Sequence, residues 1–128
     1  MTVVLDADVL IGALDDRDAH HAQVRAWFER WHRDATPRLA SLVNLTEVLV
    51  GPSADPPTLR TAREALAVLG VRPHAPNEAI AVDAARLRRR HPISLPDAYA
   101  IATARHVGAQ LRTFDRKVRR AADGEGVG

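Results

Sequence analysis

Five carboxylates, spread over four separate segments, occupy places from which they could act together on one ligand. They are Asp6 with Asp8, Glu47, Asp97 and Asp115. Asp6 and Asp8 come directly after Val3-Val4-Leu5, an apolar, β-branched run of strand length, and Asp115 comes after Gln110-Leu111-Arg112-Thr113. Asp97 sits in Ser94-Leu95-Pro96-Asp97, which has the form of a capping box, and leads a nearly uncharged run from Ala98 to Ala104. Glu47 borders an apolar arc of Leu42, Val43, Leu45, Leu49 and Val50. Taken singly, each acid has a smaller explanation. Asp8 can cap a helix, Asp97 gains from the dipole of a helix N-terminus, Asp115 can cap a last helix, and Glu47 can be a solvated flank. Jointly these explanations weaken, because carboxylates gathered at one edge repel one another unless a cation is shared. An all-oxygen donor set favours a hard ion, Mg²⁺ or Mn²⁺, over zinc. His20 and His21 are adjacent, so on a helix they face different ways and chelate poorly.

The elements that must bring these acids together follow from periodicity. The first strand is Val3–Leu5, and a helix opens near Val9 with Asp8 as its cap. A second helix starts near Asp18, with Val24, Trp27, Phe28 and Trp31 on one face. That stripe is read as core, with a contact to another chain as the alternative. Arg38-Leu39-Ala40 is the second strand, and Ser41 to Val50 is a helix ended by Gly51-Pro52. Residues 53–57 read as a loop, Thr58–Leu69 as a helix, and Val71-Arg72-Pro73 as a brief third strand. Helices over Asn77–Arg90 and from Ser94 to Gly108 follow, then the strand 110–113 and a last short helix. Short strands alternating with helices predict an α/β fold: three layers, α/β/α, around a short, mostly parallel sheet of four or five strands. In such sheets ligands bind beyond the carboxyl ends of the strands, where Asp6 and Asp115 fall.

A chain of 128 residues fits a single domain over 1–128, with 121–128 expected as a frayed tail. There is no cysteine, so disulfides and thiolate metal sites are excluded. No segment has the apolar length of a membrane span or the form of a signal peptide, which predicts a soluble cytoplasmic protein. Spaced dinucleotide-binding glycines and a P-loop are both absent. Net charge is only +2, but it is unevenly spread. Residues 86–120 carry nine arginines and Lys117 against Asp97 and Asp115, a local net of +8. Such a face suits phosphate contacts, although a general abundance of arginine would produce it too.

The acidic segments resemble the motifs of the PIN-domain family, and within it the VapC-type toxins of toxin–antitoxin pairs. Val3-Val4-Leu5-Asp6-Ala7-Asp8 is similar to the family's opening strand with its metal-binding aspartate. Asn44-Leu45-Thr46-Glu47 resembles the helix bearing its glutamate, Leu95-Pro96-Asp97 its third acidic motif, and Thr113-Phe114-Asp115 its late Thr-x-Asp signature. The four lie in family order from residue 3 to about 118. Two departures stand out: Asp8 replaces the usual Ser, Thr or Asn, and little chain remains for the strand the family adds after its last helix.

The resemblance implies metal-dependent hydrolysis of RNA, with tRNA or rRNA as the expected target. Asp6, Asp97 and Asp115, with Glu47 directly or through water, would hold one or two Mg²⁺ or Mn²⁺ ions that activate water and polarise the phosphoryl oxygen. Asp8 would support the site, and Thr113 would steady the Asp115 loop or a water. Arg86, Arg89, Arg112 and Arg116 are candidates for gripping flanking phosphates. A VapB-like antitoxin and a homodimer are the implied partners. Competing expectations are an RNA-processing nuclease without antitoxin and a catalytically silent nucleic-acid-binding module. A phospho-receiver domain is disfavoured because Val71-Arg72-Pro73 ends without an acceptor aspartate.

Overall fold

The computed structural model describes all residues, 1–128. Four strands, β1 (Val3–Leu5), β2 (Arg38–Ser41), β3 (Val71–His74) and β4 (Gln110–Arg112), form one sheet in the order β3-β2-β1-β4. Every pair is parallel, so the expected mostly parallel sheet has four strands and no antiparallel member. Pro73 lacks an N–H and is tolerated because β3 is an edge strand.

Seven helices clothe the sheet. Alternation along β1 sends Val3 and Leu5 to one face and Val4 to the other. Val3 and Leu5 pack with α1 (Ala7–Leu14), α2 (His21–Arg33), α3 (Leu42–Leu49) and α4 (Pro56–Val68). Val4, in register with Leu39 and Leu111, packs with α5 (Glu78–Arg90), α6 (Leu95–Val107) and α7 (Arg116–Gly124). The result is the three-layer α/β/α arrangement. Along α6, Ala98, Ala100, Ile101, Ala102, Thr103 and Ala104 are all buried, which explains the uncharged run that follows Asp97. Gly108, at φ 67°, closes α6 in the left-handed conformation that glycine adopts without strain. No helix is long and apolar enough to cross a membrane.

Several sequence expectations are corrected. Asp6, not Asp8, is the N-cap of α1, so the helix begins at Ala7 rather than near Val9, and Asp8 lies within its first turn. Pro56-Pro57, read as loop, opens α4 beneath an Asp55 cap, because proline's missing N–H is harmless in the first turn. The α3 arc also differs: Leu42 and Val50 are exposed, while Asn44, Leu45 and Val48 face inward. Phe28 and Trp31 are core, as expected, but Trp27 is half-buried and turns toward Phe114.

The tail does not fray. Ala121, Ala122 and Val127 are buried, and the Val127 carbonyl accepts the Leu111 N–H at 2.8 Å on the free edge of β4. One backbone bond thus stands where a fifth strand would have paired. Glu125 completes the docking by accepting bonds from Arg90 (2.8 Å), Arg105 (2.7 Å) and the His91 ring (2.9 Å).

Candidate active site

The chain runs β1 to β2 to β3 in one direction, then returns to place β4 on the other side of β1. This reversal opens a crevice at the carboxyl ends of β1 and β4, the place where open α/β sheets bind ligands. β1 and β4 feed α1 and α7 from their carboxyl ends, and the Asn44–Pro96 hydrogen bond brings the start of α6 to α3, the helix after β2. Asp6 caps α1, Asp97 sits in the first turn of α6, and Asp115 caps α7. The positive ends of three helix dipoles therefore help hold three carboxylates in one place.

Asp6 and Asp8 form the floor. Asp6 is 4% exposed; its Oδ1 accepts the Ala7 N–H at 2.8 Å and its Oδ2 accepts the Thr113 hydroxyl at 2.8 Å. Asp8 Oδ2 accepts the Phe114 N–H at 2.9 Å, which ties α1 to the turn after β4. Thr113 is the joint between the two. Its hydroxyl donates to Asp6 and accepts the Asp115 N–H at 3.1 Å. Asp115 Oδ1 takes the Lys117 and Val118 amides, at 2.8 and 3.2 Å.

Asp97 and Glu47 form the wall. The capping box is present as expected: Asp97 Oδ2 accepts the Ser94 N–H at 3.2 Å, and the Ser94 hydroxyl accepts the Asp97 N–H at 3.3 Å. Asn44 links this helix to α3. Its amide donates to the Pro96 carbonyl at 3.1 Å and to Glu47 Oε1 at 3.4 Å.

Electrostatics binds floor to wall. Burial, then the charge of Asp8 and more weakly that of Asp97, pushes the Asp6 carboxyl up to about 7, against the opposing hydrogen bonds from Thr113 and Ala7. Burial also raises Asp8, with Asp115 adding to it. Glu47 is exposed as a residue, yet partial burial of its carboxyl raises it, and Asp97 and Asp8 raise it further. Asp6, Asp8 and Glu47 are thus each raised by at least one other member of the set.

The donors fit a hard divalent cation. They are all oxygen, they repel one another, and Asp8 Oδ1 is buried without a hydrogen-bond partner, as is Asn44 Oδ1 beside Glu47. No three of these side chains stand close enough together to hold a metal ion as they are placed.

The basic candidates divide. Arg116 follows Asp115 at the start of α7, and Arg112 ends β4, where it donates to Gln110 Oε1 at 3.2 Å. Arg86 instead lines a hollow with Asp83, Ala102, Arg105 and His106, five or more residues along α6 from Asp97, or roughly 8–13 Å. Arg89 is exposed on the last turn of α5. The sequence reading missed Asn44 as a link between the acid-bearing helices. It also missed Arg119, whose guanidinium donates to the Thr113 carbonyl at 2.8 Å. The full burial of Asn44 on an otherwise apolar helix face is the signal that only packing reveals. A hollow of about 540 Å³ between Phe28, Arg38 and Leu69 holds none of the acids and reaches the opening of β2, the opposite edge of the sheet.

Comparison with known proteins agrees with this fold. A Mycobacterium tuberculosis structure, VapC20, described as a sarcin–ricin loop-cleaving toxin, is similar with TM-score 0.71 and 20% identity over 93% of this chain and 94% of that one. A toxin–antitoxin complex from Klebsiella pneumoniae is similar with TM-score 0.73 and 26% identity, covering 90% and 88%. VapBC2 from Rickettsia felis, bound to a promoter DNA fragment, gives 0.74 and 16%, covering 94% and 93%. Among curated proteins no sequence match is found. The PIN domain profile matches residues 3–124, nearly the whole chain, and the chain belongs to the PIN-domain family.

Proposed function

We propose that this protein is a metal-dependent endoribonuclease of the VapC type, hydrolysing phosphodiester bonds of tRNA or rRNA and silenced by a VapB-like antitoxin. The observation that carries the reading is the set of five mutually repelling carboxylates at the switch point, with Asp6 buried and pushed up to about 7. A site that costs this much without a counter-charge is built for a cation.

Asp6, Asp97 and Asp115 would hold the ion, with Glu47 and Asp8 beside them. When bound, Mg²⁺ or Mn²⁺ supplies Lewis-acid polarisation of a phosphoryl oxygen and activation of water. The chain's own groups do the positioning. Thr113 holds Asp6 in one rotamer and braces the turn that carries Asp115. Asn44 fixes Glu47 against α6. Arg116, next to Asp115 in the chain, suits a flanking phosphate, while Arg112, bonded to Gln110, and Arg89 and Arg86 lie farther out, where a longer RNA would pass. Support for the toxin assignment comes from the similar proteins: one is described as a toxin cleaving the sarcin–ricin loop, and others were solved as toxin–antitoxin complexes. A homodimer belongs to the same proposal.

The test is incubation of the protein with total tRNA and rRNA in Mg²⁺ or Mn²⁺. Discrete fragments should form, and they should vanish with EDTA and in Asp97→Asn. Intact RNA under every metal, or cleavage that survives both controls, would refute the reading.

A further inference from the structure

Three rings are stacked beside the acid cluster. His20 lies flat on Phe114, with centroids 3.8 Å apart and planes 5° apart. Phe114 in turn lies nearly flat on Trp27, at 5.0 Å and 10°. Two rings lying flat at those distances on one face of Phe114 would overlap, so His20 and Trp27 take opposite faces. His20 is an exposed residue, and with Phe114 covering one face of its ring the other opens to solvent.

The stack is braced at each end. Trp27 is half-buried and leans on Trp31 at 5.8 Å, and Trp31 is core. The His20 amide donates to Asp18 Oδ1 at 2.9 Å, and the neighbouring His21 ring bonds the Gly12 carbonyl at 2.7 Å. Gly12 lets α1 and α2 close on each other, since a Cβ there would meet Val24 Cγ2 at 3.0 Å. The stack is also bound to the chemistry. Phe114 sits between Thr113 and Asp115, and its own N–H donates to Asp8.

Core packing accounts for Trp27 and the inner face of Phe114. It does not account for a polar ring laid flat on top, with its far face free and its backbone fixed. A flat ring stacked on Phe114, the residue between Thr113 and Asp115, is a surface for a nucleobase, because every base has a π-face and stacks without regard to sequence. Such a base must be unpaired to reach it. We propose that the outer face of His20 is a stacking shelf for one unpaired nucleobase of the RNA, next to the phosphate held at the acid cluster. The proposal rests on the ribonuclease reading and deepens it: the substrate presents a splayed base, as in a loop, beside the bond that is cut.

The test uses fluorescence anisotropy of a labelled single-stranded pentaribonucleotide, with Ca²⁺ in place of Mg²⁺ to limit turnover of the probe. His20→Ala should weaken binding roughly 5- to 150-fold. His20→Phe should bind like the wild type, and melting curves should show all three fully folded at the assay temperature. Moving one abasic residue along the probe should find a single position where wild-type affinity drops and His20→Ala causes no further loss. Equal binding by wild type and His20→Ala, or an undiminished effect of the substitution on every abasic probe, overturns the shelf and leaves the ribonuclease reading standing. Failure of the wild type to bind any RNA overturns both.

Discussion

Replacing Asp6 by Asn should make the metal-free protein more stable, and only at the pH where the carboxylate would be charged. The Asp6 carboxyl is moved from 3.8 to about 7 on folding. Below pH 3.8 it is protonated in both states and contributes nothing. Between 3.8 and about 7 the unfolded chain releases the proton while the folded chain keeps it, so stability falls as pH rises; above about 7 the loss is complete. At about 1.4 kcal/mol per pKa unit, the cost in the folded protein reaches about 4 kcal/mol. Asn removes the charge but obliges the Thr113 hydroxyl to turn and accept a bond, which offsets about 1 kcal/mol. A net gain of about 3 kcal/mol corresponds to a rise in Tm of roughly 10 °C for a domain of this size. Thermal unfolding in EDTA at pH 4 through 8 measures it. The variant should lie slightly below the parent at pH 4, cross it as pH rises, and reach its full advantage by about pH 7 to 8. A difference independent of pH, or a variant less stable at pH 8, would refute the argument that Asp6 is a buried, uncompensated charge.

Three further outcomes are expected. Thr113→Val strands both Asp6 Oδ2 and the Asp115 N–H, so it should destabilise the protein by about 1–3 kcal/mol and lower cleavage, whereas Thr113→Ser keeps the hydroxyl and both properties; denaturant unfolding and an RNA assay check this. Glu125 is held below its ordinary value first by His91, then by Arg90, with Arg105 adding to it, so its contribution is present above 4.5 and lost as pH falls through the depressed folded value. Glu125→Gln should accordingly lower Tm at pH 7 and converge with the parent in acid. Asn44→Ala frees Glu47 from α6 and should weaken Mn²⁺ binding about 10-fold or more, read by calorimetry, as loss of an outer partner of a ligand does.

What the sequence made legible was local. Val3–Leu5, the Ser94/Asp97 capping box and Gly108 are set by residues within a few positions of one another, and each stands where pattern reading put it. Asp6 and Asp115 could be placed at one edge for the same reason, since a parallel α/β sheet delivers strand ends there whatever the helices contain. Ambiguity arose where two neighbours had equal claims: Asp6 and Asp8 both carry a capping oxygen, and only the turn after β4, which claims Asp8 through Phe114, decides between them. Long-range contacts left no trace at all. Nothing near Val127 announces a bond to Leu111, nothing near Asn44 announces Pro96, and the His20–Phe114–Trp27 stack joins segments that meet only once the sheet has formed.

The central claim is that carboxylates from four segments share one divalent ion. Calorimetric titration of Mn²⁺ into the parent and into Asp6→Asn, Asp97→Asn and Asp115→Asn tests it most directly, with Asp34→Asn, at the exposed end of α2, as control. Binding should be retained in the control and lost or weakened at least tenfold in each of the other three. Unchanged Mn²⁺ affinity in those three variants would contradict the claim.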